Sequence, residues 1–135
     1  MSTLLLEIVT PESKVYAKDV AMVSVKGTAG ELGILPHHVP FVTPLEIAPV
    51  KVHLAGGGYE YIAVNGGFVE IRKDKVVILA ETAELASDID VSRAQLAKQR
   101  AEDRLKASKD EYDHRRAELA LSRALNRINV KNQDN

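Results

Sequence analysis

The chain contains no cysteine, which excludes a disulfide framework and any thiolate metal site. It has no apolar run long enough to cross a bilayer. "VVILA" (76–80) is about as long as they get, far short of the ~20 residues a spanning helix needs. The stretch "MSTLLLEIVTPE" lacks the basic start and long apolar core of a secretion signal. These absences predict a soluble, cytosolic protein.

Two further absences divide the chain. All five prolines lie at or before Pro49 and all eight glycines at or before Gly67, so residues 68–135 have neither. The net charge of −1 hides a similar split. Residues 1–90 carry 7 basic and 12 acidic side chains, whereas residues 91–130 carry 10 basic and 6 acidic. An acidic, punctuated front and a basic, unpunctuated back predict two domains, 1–85 and 86–135. With 135 residues the chain has room for one compact domain, or a small one with an appendage.

The known catalytic signatures are missing too. There is no GxxxxGK[ST], no GxSxG and no HExxH. Of the four histidines, His37 and His38 are adjacent, a poor spacing for one metal, and His53 reads as the solvent face of a strand. No metal site and no catalysis are expected.

What is present in the front half is β-patterned. "LLLEIV" (4–9), "VAMVSVKG" (20–27), "VKVHLA" (50–55), "YEYIAV" (59–64), "FVEIR" (68–72) and "KVVILA" (75–80) are short apolar runs, several alternating, that read as strands. Turn-like connectors separate the later ones: "AGGG" (55–58), "NGG" (65–67), itself a candidate bulge, and "RKDK" (72–75). An antiparallel sandwich or barrel of about 80–85 residues follows.

The back half is helical. Ser87, Asp88 or Asp90 can cap a helix amino-terminus. Ala94, Ala97, Ala101 and Leu105 recur at steps of three and four, as do Ala117, Leu121, Ala124 and Ile128. Two narrow stripes of mostly small residues fit a closely packed antiparallel hairpin that turns near "SKDEYD" (108–113). With no glycine or proline at that turn, one helix over 91–129, about 58 Å long, is the alternative. The spacing also suggests a hairpin that can switch to this extended form.

Arginine spacing carries the functional signal. Arg93 and Arg100 are seven apart, and Arg123 and Arg127 four apart, so each pair shares a helix face. Folding the hairpin about residue 110 brings all four to its open end, beside Asp90. Two readings follow from spacing alone. One is a solvated basic surface partly neutralised by Glu102, Asp103 and Glu118. The other is a site for a nucleotide triphosphate, whose oxygens take bidentate, charge-assisted hydrogen bonds from guanidinium groups.

These residues also carry a resemblance. "VTPE" (9–12), "MVSVKG" (22–27), "GELGILPHHVPFVTPL" (30–45), "IAVNGGFVEIRKDKVVILAE" (62–81), "IDVSRA" (89–94) and "RRAELALSRALNRI" (115–128) occur in this order. Together they resemble the epsilon subunit of bacterial F-type ATP synthase, of the Bacillus-like kind, over nearly the whole length. The resemblance implies an α+β chain: an N-terminal ten-stranded antiparallel β-sandwich and a C-terminal two-helix antiparallel hairpin. It implies a non-catalytic rotor subunit of the central stalk at the cytoplasmic face of the bacterial membrane. The sandwich would join the gamma subunit to the c-ring, with Glu31 and His38 at the ring. The hairpin would extend toward the alpha and beta subunits to restrain ATP hydrolysis, and its compact state would bind ATP as a regulatory ligand. Magnesium is a candidate companion ion.

Carried over by position, Ile89 and Asp90 would recognise adenine and Glu84 the ribose. Arg93, Arg100, Arg123 and Arg127 would face the phosphates, with Ala94 as the small motif residue. One departure concerns Pro36-His37-His38, where the family usually reads Pro-Gly-His. Glycine there would suit positive φ, which histidine adopts only at a cost. A purely structural rotor subunit, its arginines gripping acidic loops of a partner, is the other reading.

Overall fold

The structure, a computed structural model, describes residues 2–134. Seven strands come first: β1 (Leu4–Val9), β2 (Lys14–Gly27), β3 (Gly30–Ile34), β4 (Phe41–Leu54), β5 (Tyr59–Ile71), β6 (Lys75–Ala80) and β7 (Ala83–Leu85). A 3-10 turn (Ala86–Asp88) leads into α1 (Val91–Ala107) and α2 (Glu111–Gln133). The sheet order is β1-β6-β5-β4-β2-β3, and β1 also pairs with β2, so the sheet closes on itself. All pairings are antiparallel except β1 with β6.

The α+β architecture stands, with one correction: seven strands replace the expected ten. Three strands are long, and each reverses its inward face once. In β2 the buried positions pass from Tyr16 and Val20 to Val23 and Val25, across a register shift between Val20 and Met22. In β4 they pass from Thr43 and Leu45 to Ala48, Val50 and Val52, and in β5 from Ile62 and Val64 to Val69 and Ile71. Because strand side chains alternate, a change of parity means a bent strand that serves both layers in turn. "NGG" is therefore no turn. It lies inside β5, where Leu45 pairs with Gly67 and Ile47 with Asn65 in one unbroken register.

The core is aliphatic. Leu6, Ile8, Val20, Val23, Ile34, Val52, Ile62, Val69 and Ile78 are fully buried. One charge lies almost as deep. Glu7 on β1 forms ion pairs with Lys14 and Lys75 on either side. Hydrogen bonds from Lys14 and Lys75 outweigh burial and hold its carboxyl at about 2. That is below the ordinary Glu value of about 4.3. A depressed carboxyl stabilises the fold above its unfolded pKa, and that stability is lost as pH falls through the folded value. Urea midpoints measured from pH 5 down to pH 2 should therefore fall, and Glu7→Gln should flatten that acid limb. An unchanged limb in the variant would remove Glu7 from the account.

The back half forms the hairpin, not the single long helix. Helix α1 stops where Ser108 Oγ donates to the Leu105 carbonyl at 2.9 Å. Helix α2 starts where the Asp110 carboxylate accepts from the Asp113 amide at 2.8 Å. A serine stop and an aspartate cap do the work of the missing glycine. Between the helices Ala94, Ala101, Ala117 and Ala124 are buried. Each contributes roughly one methyl, about 0.8 kcal/mol, so the hairpin alone is marginal.

Helix α2 docks the hairpin on the outer face of the sheet. Val130 closes a small apolar cluster with Ala63, Ala86 and Ile89, flanked by Tyr61. Beside it the buried Asn126 Nδ2 donates to the Val64 carbonyl (3.2 Å) and to Asn65 Oδ1 (3.1 Å). Asn65 Nδ2 in turn donates to Thr82 Oγ1 (2.9 Å). Lys131 Nζ reaches the Ala86 carbonyl at 3.1 Å. The docked face is thus one small cluster and a chain of amides.

Candidate functional site

The two helices leave a groove between them, floored by alanine. Ala97, Ala101, Ala120 and Ala124 form its base, and Arg100, Arg104, Arg123 and Arg127 its walls, around a cavity of about 220 Å³. Alanine keeps the floor low, so long side chains from both helices lean over one volume. No carboxylate lines it. Among the described residues only Arg127 has an ionic partner, Glu84 on β7, at 2.6 Å. Like charges gathered over a shared volume repel, and an anion seated there would relieve them.

The groove gathers Arg100, Arg123 and Arg127, with Glu84 at its edge. Arg93 lies outside it, exposed in the first turn of α1, where its amide donates to Asp90 Oδ1 at 3.1 Å. Asp90 is the helix cap. Ile89 is 4% exposed, within the apolar cluster under Val130, and Ala94 is fully buried inside the hairpin.

Arg104 is the groove residue that spacing missed. Counting residues from the turn levels Cα atoms, but helical side chains lean toward their own amino-terminus. In an antiparallel pair the two sets lean toward each other. The α1 arginine that meets Arg123 and Arg127 is therefore about one turn more carboxy-terminal than the count gives. Arg104, four after Arg100, was visible in the sequence once that lean is applied.

The second candidate pair lies on the sandwich. Glu31 is exposed on β3, opposite Lys26 of β2. His38 is half-buried, with Nδ1 2.8 Å from the Val39 carbonyl and its ring 5.9 Å from that of Phe41. Between them His37 has φ 68°, the left-handed conformation. Among the described residues no cluster of three or more His, Asp or Glu could hold a metal ion.

Fold and groove together define a two-part chain, a closed β-sandwich carrying a docked helical hairpin with a basic cleft. Comparison with known proteins identifies both parts. The family "ATP synthase, Delta/Epsilon chain, beta-sandwich domain" matches residues 3–86, and its "long alpha-helix domain" matches residues 87–132. The ATP synthase epsilon chain of Halalkalibacterium halodurans is 56% identical over 131 residues, covering 96% of this chain and 98% of that one. That of Bacillus cytotoxicus is 53% identical over 132 residues, covering 98% of each. A chain of the Euglena gracilis mitochondrial ATP synthase structure shares the fold, with TM-score 0.77 at 23% identity, over 90% of this chain and 77% of that one. One from the Tetrahymena thermophila central stalk and c-ring structure has TM-score 0.66 at 13% identity, over 95% of this chain and 96% of that one. The chain belongs to the delta/epsilon chain family of ATP synthase. Chains of this family are accessory subunits of the synthase, not catalytic ones.

Proposed function

We propose that this chain is a regulatory rotor subunit of the central stalk of an F-type ATP synthase, and that its docked hairpin is an ATP sensor. The observation that carries the reading is the convergence of Arg100, Arg123 and Arg127 on one cleft, where Glu84 at the edge pairs with Arg127 alone. Phosphate oxygens are the natural occupant of such a cleft. The ligand is bound, not hydrolysed.

The placement of Glu84 supplies the regulatory logic. It belongs to the sandwich, on β7, whereas the arginines belong to the hairpin. A nucleotide whose ribose is held by Glu84 and whose phosphates are held by the arginines touches both parts, so it binds only the docked form. Asn126, the docking amide, and Arg127, a groove arginine, are consecutive in α2. At 100 times Kd such a ligand stabilises the docked form by about 2.7 kcal/mol. That is comparable with the whole alanine interface. Without ATP the hairpin is free to leave the sheet and reach toward the alpha and beta subunits as the inhibitory form.

Ile89 and Asp90 stand at the adenine end, with Ala94 and Arg93 beside them. The sandwich links gamma to the c-ring, with Glu31 and His38 facing the ring. Attachment to the cytoplasmic face of the membrane is through the complex, and among the described residues no helix is long and apolar enough to cross a membrane. A second reading, a purely structural coupling subunit, is favoured by an exposed apolar row across three strands. Pro44 pairs with Phe68 and Phe68 with Leu79, and the last two are 51% and 50% exposed.

Calorimetric titration of ATP into the full chain, with and without magnesium, separates the readings. The sensor binds one ATP per chain saturably. No heat of binding up to millimolar ATP leaves only the coupling role.

A further inference from the structure

The "NGG" stretch (65–67) lies inside β5 and at the docking contact. Of the five asparagines, only Asn65 is followed by glycine. Without a Cβ, a glycine lets its amide nitrogen approach the side chain before it. The space beside Gly66 is open. A Cβ built there meets nothing nearer than the Glu81 carboxylate at 3.8 Å, and φ is +85°. The Asn65 carboxamide is held at both ends. Its Nδ2 donates to Thr82 Oγ1 at 2.9 Å, and its Oδ1 accepts from Asn126 Nδ2 at 3.1 Å. Thr82 belongs to the sandwich and Asn126 to the hairpin. Docking completes this restraint and buries the group. Undocking removes one of the two contacts and admits water.

We infer that Asn65 is a deamidation site guarded by the docked hairpin, so that the chain keeps a chemical record of the time its hairpin spends undocked. The inference rests on the undocking part of the proposed function. In the reaction the Gly66 amide nitrogen attacks Asn65 Cγ. A C–N bond forms, and the side-chain nitrogen leaves as ammonia with the amide proton. Water, the only co-reactant, then opens the cyclic imide at either carbonyl and leaves aspartate or isoaspartate at position 65. Both products oppose redocking. Each puts a carboxylate where Asn126 would bury it, which is unfavourable. Isoaspartate also adds a backbone methylene between the Ile47–Asn65 and Leu45–Gly67 pairs, which a one-to-one ladder cannot absorb. The change is one-way.

The test ages the full chain at mildly alkaline pH and follows amide loss at each asparagine by peptide mass spectrometry. Wild type is compared with Val130→Asp, which breaks the apolar cluster under α2 and leaves Asn65, Gly66 and Asn126 in place. A charge in that cluster predicts an undocked population larger by on the order of 10- to 100-fold. Amide loss at Asn65 should rise in proportion, measured against the exposed Asn132. Val130→Ala, the milder variant, should fall between the two. Equal rates at Asn65 in all three chains, or no loss in any, show that β5 itself and not the hairpin guards the site. Either result overturns the inference and leaves the undocking reading standing. Hydrogen exchange on the same samples separates the two failures. The Ile78 amide should stay protected in the variants, which shows an intact sheet. Amides of α2 as protected as that of Ile78 in wild type would overturn the undocking reading, and the record at Asn65 with it.

Discussion

Gly67→Ala disrupts the sandwich, although the substitution adds a single methyl. A Cβ built on Gly67 falls 2.0 Å from the Leu79 carbonyl oxygen and 2.9 Å from the Ala80 Cα. Both are backbone atoms of the neighbouring strand, so no rotamer change relieves the clash. Gly67 also has φ +126°, a conformation side chains rarely adopt. The only escape is to part β5 from β6 at the Gly67–Ala80 pair. That pair borders the fully buried Val69 and Ile78. The expected cost is about 3 kcal/mol or more, a fall in melting temperature on the order of 10 °C. Gly66→Ala is the control. Its φ of +85° is also unfavourable, but its nearest neighbour is the Glu81 carboxylate at 3.8 Å. It should cost about 1–2 kcal/mol. Equal melting temperatures for the two variants would show that the close approach of β5 and β6 does not limit the fold.

Removing two groove arginines together, Arg123→Ala with Arg127→Ala, should abolish nucleotide binding without unfolding the chain. Each guanidinium–phosphate contact contributes about 1.5–3 kcal/mol. Losing both predicts an affinity lower by on the order of 10²- to 10⁴-fold, which places binding beyond titration. Stability should hardly change. Arg123 forms no ion pair among the described residues, and the Arg127–Glu84 pair is partly exposed. Such pairs contribute about 0–1 kcal/mol. Removing like charges from one groove offsets even that. Arg123→Ala alone is the cleaner half of the test, because it leaves Glu84 paired. Retained affinity in the double variant would place the nucleotide somewhere other than this groove.

Much of this was legible in the sequence because local patterns carried it. Alternation marked the strands, and the step of three and four marked both helices. The alanine stripes marked the hairpin, whose turn falls at 108–110 as composition suggested. The strand count was not legible. A parity change inside a bonded strand looks like a break, and only the partner strand shows that β5 runs on through Asn65, Gly66 and Gly67. The stretch of β4 before Val50 was hidden by Pro44 and Pro49, which cannot donate to a ladder yet sit in this one. His37 takes the positive φ that a glycine there would adopt at no steric cost, 68°. At the groove, spacing found Arg100, Arg123 and Arg127, and missed Arg104 because Cα levels ignore the lean of long side chains. The Asn126–Asn65 contact had no signal at all. It joins residues 61 apart, and an asparagine in a helix reads as surface until its partners are seen.

The measurement that tests the central claim most directly is amide hydrogen exchange of the full chain, with and without saturating ATP. Docking of the hairpin depends on one apolar cluster and a few polar contacts, so its amides should exchange through undocking, faster than those of the sheet core. If ATP bridges Glu84 and the groove arginines, residues 91–133 should slow by about 100-fold at 100 times Kd, while Leu6, Val23 and Ile78 in the sheet stay unchanged. Hairpin amides that exchange at the same rate with and without bound ATP would contradict the account. The nucleotide would then be a passenger on the hairpin and not its latch.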